Sequence, residues 1–276
     1  MKNLVVLLLM LILSTALAAQ NNDEPLVLIE IIAGSDSIIS NDSFYVAVKL
    51  KIKDEWHTYW ENPGDGGLKT LFEWTLPSSF SISEPAIPYP KKFLVDDMVN
   101  FGYEKEAAYL FKIKTSDVTD FENRVEVKAT WLACKEECIP GTSIAAKVFY
   151  ASKEKVKTNK DNRRIFEQIR TMIPVNADNI KISAFSKNES ILFEIVPGGT
   201  LKNFSRIDFF PVQQGIFSYA SVSKLLLEDG KYLLTVPLDP MRGELPEELD
   251  AVFYTPEGWD EAGIYKAIQQ KIKLNK

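Results

Sequence analysis

The sequence predicts an all-β protein of two tandem sandwich domains joined by a short helical linker. Three observations carry this. Short runs rich in β-branched and aromatic residues recur along most of the chain, with Gly, Pro, Asn and Asp between them. Only one internal window has clear helical spacing. That window sits mid-chain, directly after a polar, charged stretch that suits a linker.

In the first half, VLIEIIAG (27–34) and SFYVAVKLKIKD (43–54) read as strands. The second alternates, with Val46, Val48, Leu50 and Ile52 on one face and Tyr45, Ala47, Lys49 and Lys51 on the other. EWHTYW (55–60) continues as an aromatic strand, ENPGDGG (61–67) reads as a turn, and LFEWTLP (71–77) as a short strand ending at proline. Pro85, Pro88 and Pro90 in SEPAIPYPKKF (83–93) exclude a helix or a central strand there. FGYEKEAAYLFKIKT (101–115), RVEVKATWLAC (124–134) and SIAAKVFYAS (143–152) complete an antiparallel sandwich over 19–153.

KEKVKTNKDNRR (153–164) is the linker by composition. In DNRRIFEQIRTMIPV (161–175) the apolar residues Ile165, Phe166, Ile169, Met172 and Ile173 follow helical spacing, with Asp161 or Asn162 as N-cap and Pro174 closing the helix. We take 154–175 as linker and helix. NIKISAFS, SILFEIVPG, SRIDFFPV, KYLLTVPL and LDAVFYTPEG then make 176–276 a second β-rich domain. The tail 260–274 fits a last strand, a short helix, or both.

The first 18 residues carry Lys2, an apolar run from Leu4 to Leu13, and Ala16-Leu17-Ala18. This is the pattern of a secretory signal peptide cleaved after Ala18; a membrane anchor is the other reading, and the run is short for a span. Removing it leaves 31 basic against 38 acidic side chains. An acidic chain without basic clusters argues against nucleic acid and against anionic lipid as partners. The mature chain is expected to be exported, with no stable membrane insertion.

The only two cysteines, Cys134 and Cys138, lie in WLACKEECIPG (131–141). On the strand before them Val125, Val127, Ala129, Trp131 and Ala133 form the core face. Cys134 therefore ends that strand pointing away from the core or toward a rim, and the pair sits at an exposed tip between two strands. Three uses compete. An inert disulfide across so short a loop adds only about 2 kcal/mol. A zinc clip wants four ligands, and His57 is the single histidine. A redox pair needs two nearby thiols at a reachable tip, although CxxxC is not the CxxC of a thioredoxin site. Lys135 would lower a thiol pKa while Glu136 and Glu137 would raise it, so the local field does not favour thiolate and a passive relay suits it better than a strong oxidant.

WLACKEECIPG resembles the cysteine loop of the periplasmic N-terminal region of the DsbD/ScsB family of protein-disulfide reductases. HTYWENPGDGGLKTLFEW (57–74), the proline-rich segment ending IPYPKKF, and FFPVQQGIFSYA (209–220) resemble the ScsB-type branch. The resemblance implies an immunoglobulin-like sandwich, so the expected fold is two tandem immunoglobulin-like β-sandwich domains. It implies thiol:disulfide interchange, with Cys134 and Cys138 as the catalytic pair and Cys138 as the cysteine that meets partners. DDMVNFGYE (96–104) would be a cap over the pair, with Phe101 as the shielding aromatic and Asn100 if the register slips by one. Asp96 and Asp97 would be the acidic residues near the cap, and Tyr59 would line the site. Partners would be periplasmic disulfide-exchange proteins, including those of cytochrome c biogenesis, and a separate membrane electron donor. No cofactor and no metal is expected, although the family's association with copper tolerance leaves copper on the reduced pair as a minor idea.

Other residues read more plainly. His57 is a packed or rim residue, with proton shuttle as the sharper alternative. Trp56, Trp60, Trp74 and Trp131 are core candidates. The glycine-rich 62–67 lacks a phosphate-loop spacing. Against the reductase reading stands a non-catalytic binding or assembly module whose disulfide only shapes a loop.

Overall fold

The computed structural model describes residues 25–95, 97–154, 160–198 and 203–275, so the signal peptide expected over residues 1–18 lies outside the described residues. The N-terminal half is a sandwich of two sheets. In the first, β1 (Val27–Ala33), β3 (Ser43–Ile52), β9 (Glu106–Thr115) and β6 (Phe80–Ile82) lie side by side in that order. In the second, the order is β2 (Ser37–Ile38), β11 (Cys138–Ala151), β10 (Glu122–Cys134), β4 (His57–Gly64), β8 (Met98–Glu104) and β7 (Lys91–Val95), with β5 (Leu71–Thr75) also paired to β10. The predicted alternation fixes the layers. Val46, Val48, Leu50 and Ile52 of β3 and Val125, Val127, Ala129, Trp131 and Ala133 of β10 are all buried between the sheets. Aromatic edges lock them together, as Phe72 on Tyr109 at 4.8 Å, Trp74 on Phe111 at 5.1 Å and Phe44 on Phe149 at 5.1 Å. Of the four tryptophans expected in the core, Trp60 and Trp131 are buried while Trp56 and Trp74 are only partly so.

The single helix among the described residues, α1 (Lys160–Met172), starts ahead of the expected N-cap. Asp161 and Asn162 thus lie within its first turn, and the Asn162 amide donates instead to the Ala33 carbonyl at 2.7 Å. The helix is more than a linker. Phe166 and Ile169 pack on Ala47, Ala108 and Leu110, covering the outer face of β3 and β9. This explains why Ala47, on the face opposite the sandwich core, is nevertheless buried.

The C-terminal half is a second sandwich. β14 (Asp208–Pro211), β17 (Glu248–Tyr254) and β18 (Ala267–Asn275) form one layer. β12 (Lys181–Lys187), β13 (Ser190–Val196), β16 (Lys231–Pro237) and β15 (Lys224–Glu228) form the other. Only Ala184–Leu274 and Phe185–Asn275 join β12 to β18, and the layers face each other through Phe193 against Phe209 at 5.0 Å and Phe253 at 5.4 Å. The tail is a strand, β18, hydrogen-bonded through Ala267 and Gln269 to Val175 just beyond the helix.

The two halves share one continuous hydrophobic core. Along the inner face of β8, Tyr103 packs on Tyr109 of the first sheet at 5.9 Å, while Phe101 packs on Phe210 and Tyr219 of the C-terminal half at 5.3 and 5.1 Å. The C-terminal half therefore covers the stretch of that face which the first sheet does not reach. Burying a side chain in a shared core couples the stability of both parts. Phe193→Ala removes a fully buried ring and should cost about 3–5 kcal/mol. Urea unfolding followed by tryptophan emission and by backbone circular dichroism should show both probes shifting together; separate transitions would show the halves to be independent.

Candidate functional site

The hairpin of β10 and β11 builds the site. Cys134 ends β10, Cys138 begins β11, and they are direct cross-strand partners joined as a disulfide with Cα atoms 4.1 Å apart. The connection Lys135-Glu136-Glu137 is tightened by the Lys135 amide donating to the Glu137 carbonyl at 3.1 Å. The loop's one cation is engaged. Lys135 pairs with Glu55 at 2.9 Å, which holds the lysine pKa up and the Glu55 carboxyl down. Its charge is thereby directed at a carboxylate rather than left free to favour a thiolate.

The two sulfurs are not equivalent. Cys134 is 2% exposed, whereas Cys138 is exposed. The strand alternation places Cys134 on the outward face of β10, and the structure buries it there because β4 runs alongside, with His57 as its cross-strand partner. Two residues further along the same face of β4, the Tyr59 hydroxyl lies 3.8 Å from Cys138 Sγ. A disulfide sulfur has no hydrogen, so the phenol is the donor in that contact. Burial raises the Tyr59 pKa, which keeps the proton in place.

His57 stands behind Tyr59, with Nε2 3.3 Å from the hydroxyl and the ring 5.0 Å from Phe93. Only 7% of the histidine is exposed. Burial lowers its pKa, partly offset by Glu104, its partner on β8. When Nε2 carries its proton it donates to the phenol oxygen and leaves the phenol proton free for sulfur; the tautomer sets the direction.

The segment 61–67, expected to be a plain turn, does more. β4 extends through Gly64, and the residues that follow form a support under Tyr59. Gly67 has φ +115°, and a Cβ there would collide with the Tyr59 ring. Asp65 takes the Val99 amide on its carboxylate at 2.7 Å and gives its own amide to the Val99 carbonyl at 2.9 Å. Asn100 is buried on the cysteine side of β8 and accepts the Gly66 amide at 3.2 Å.

The remaining expected cap residues are spread out. β7 and β8 form a hairpin whose turn contains Asp97, which is exposed; Asp96 lies outside the described residues. Phe101 does not lie over the disulfide. It follows Asn100 on the strand, so it points to the opposite face and is buried against Phe210 and Tyr219. Residue spacing could not reveal this, because the ring's partners are more than a hundred positions away. The aromatic beside the site is Phe93, reached through His57 and missed in the sequence. Its signal was the register: Phe93 faces Asn100 across the hairpin, on the side of Tyr59 and Gly102.

Residues 30–149 match the family model for the N-terminal region of the thiol:disulfide interchange protein DsbD. This part of the chain is similar to the DsbD N-terminal region. The chain also matches a solved structure, the N-terminal periplasmic domain of ScsB from Proteus mirabilis, with TM-score 0.60 and 17% identity over 90% of this chain and 92% of that one. The DsbD-type domain and the C-terminal sandwich together thus share a known two-part fold. A sporulation control protein, Spo0M from Bacillus subtilis, aligns over similar lengths at 10% identity, but its TM-score of 0.25 carries no weight. A search among curated proteins found no match. Among the described residues of the DsbD-type domain and its companion, no helix is long and apolar enough to cross a membrane, and no three His, Cys, Asp or Glu side chains converge as a metal site.

Two predictions follow from this geometry. Gly67→Ala should displace the Tyr59 ring and weaken its contact with Cys138, seen as altered tyrosine ring resonances and a changed rate of disulfide reduction, with the strands intact. His57 gives a signed pH dependence. Its folded pKa lies below its ordinary 6.5, so the unfolded chain binds more protons under acid conditions. Stability is full above that ordinary value and declines as pH falls through it toward the lowered value. Between about pH 7.5 and about pH 5, urea stability of the native protein should fall more than that of His57→Gln; equal slopes would show that the histidine is not held neutral by the fold.

Proposed function

We propose that the chain is a periplasmic thiol:disulfide interchange protein. It relays reducing equivalents through Cys134 and Cys138 to partner disulfide proteins. One observation carries the reading: the pair offers one exposed cysteine with a phenol hydroxyl beside its sulfur and keeps the other cysteine buried. That division suits an exchange centre, in which one sulfur meets the partner and the other resolves. A staple gains nothing from it. The similarity of residues 30–149 to the DsbD N-terminal region supports the same chemistry, and the periplasmic origin of the ScsB domain of like fold supports the compartment.

The exchange balances as follows. In the reduced pair the Cys138 thiolate attacks one sulfur of a partner disulfide. The partner's S–S bond breaks, a partner thiolate leaves, and a Cys138–partner disulfide forms. Cys134 gives up its proton and attacks the Cys138 sulfur. The intramolecular disulfide closes, the second partner thiolate leaves, and two electrons have passed to the partner. In the reverse sense a dithiol donor, read here as a membrane protein on a separate chain, restores both thiols. The Tyr59 hydroxyl stabilises negative charge on Cys138 whenever that sulfur is attacking or leaving.

Removing each cysteine tests this directly. Cys134→Ala leaves the exposed thiol without its resolving partner and should accumulate mixed disulfides in a periplasmic extract, seen as reducible high-mass adducts. Cys138→Ala should give none, because the remaining thiol is buried. If neither variant forms adducts and partners still bind the double alanine chain, the disulfide is structural and the protein is a binding module.

A further inference from the structure

The C-terminal sandwich has no cysteine and no role in the exchange described above. A buried polar contact between it and the N-terminal half leads toward the disulfide. Asn62 is 0% exposed. Its amide nitrogen reaches the Pro211 carbonyl at 2.7 Å, the Tyr219 hydroxyl at 3.1 Å and the Gln213 carbonyl at 3.2 Å. Its amide oxygen accepts the Gly64 amide at 3.0 Å, which bends the chain into the support under Tyr59. Tyr219 is the hub of this contact. Its hydroxyl meets Asn62 and also accepts the Gly215 amide at 3.3 Å. Its ring packs on Phe101 of β8, and its carbonyl accepts Lys92 Nζ of β7 at 2.6 Å.

One residue of the C-terminal half thus holds all three pieces that frame the site: the 62–67 segment, β8 and the hairpin strand β7. The segment is in turn pinned to β8 through Asp65 and Gly66 and ends against the Tyr59 ring. Tyr59 ends at the Cys138 sulfur.

We propose that Tyr219 is a positioning residue for the disulfide. Through Asn62 and the 62–67 segment, the C-terminal sandwich holds the Tyr59 hydroxyl on Cys138 and so restrains the reactivity of that sulfur. The claim deepens the exchange reading and concerns the same site, but its test needs no protein partner. Losing the Tyr219 hydroxyl removes one of the three acceptors around the Asn62 amide and the acceptor of the Gly215 amide, so Asn62 settles on its two remaining carbonyl partners and the segment it holds shifts with it.

The test is reduction of the native disulfide by dithiothreitol. Reagent thiolate attacks Cys138, Cys134 leaves as thiolate, and the second reagent thiol closes the reagent's own disulfide, taking the oxidation with it. The rate is read by alkylation and mass. Tyr219→Phe keeps the ring on Phe101 and removes only the hydroxyl, so it should fold. Its reduction rate should rise about three- to tenfold, the factor a single net hydrogen bond is worth. Tyr59→Phe should abolish that difference when combined with Tyr219→Phe, because the restraint acts through the phenol. Ile195→Val, buried in β13 of the C-terminal sandwich, controls for loss of stability alone and should leave the rate unchanged. Equal rates for wild type and Tyr219→Phe, or a rise in Ile195→Val matching that of Tyr219→Phe, would overturn the proposal. Failure of the cysteine variants to capture partners would overturn the exchange reading and leave this one standing.

Discussion

A buried amide side chain with its partners on another sandwich is the constraint on which this molecule turns. Asn62 cannot be withdrawn from Pro211 and Tyr219 without stranding polar groups in an apolar interior, where each costs about 1–3 kcal/mol. That requirement fixes where β4 ends and how the next residues run. It also fixes the relation of two sandwiches that could otherwise have been beads on a string. The aromatic contacts of Phe101 with Phe210 and Tyr219 fill the space around it and exclude water.

The disulfide inherits its asymmetry from simple strand geometry. A direct cross-strand pair at a hairpin mouth puts both sulfurs on one face. Only one neighbour strand, β4, lies beside that mouth, and it lies on the Cys134 side. Burial therefore falls on one cysteine. The same strand delivers His57 and Tyr59 two residues apart on the cysteine face, so polar chemistry arrives with the cover.

Much of this was legible in the sequence where information is local. Period-two alternation located the core faces of β3 and β10, and helical spacing found α1. The cysteine spacing placed the hairpin tip, with Pro140 and Gly141 lying inside β11 opposite Leu132 and Trp131. Tyr59 could be set at the site only through the likeness of its segment to a known family. What escaped was set by long-range register. The resemblance of 96–104 to a cap sets Phe101 over the disulfide, but strand parity turns the ring to the other face, against Phe210 and Tyr219. Gly67 looked like one more turn glycine, and its importance comes from an aromatic ring eight positions earlier. Ala47 looked solvent-facing until a helix more than a hundred residues on was laid over it.

The difference in exposure between the two cysteines also bears on traffic. If the chain exchanges disulfides as proposed, its single exposed cysteine admits one visitor at a time, so donor and acceptor use the same doorway in turn. Such a carrier works by alternation: it is charged, released, and then discharged, without a complex that holds both clients. Its throughput is governed by how quickly each client departs, and a surplus of either one blocks the other.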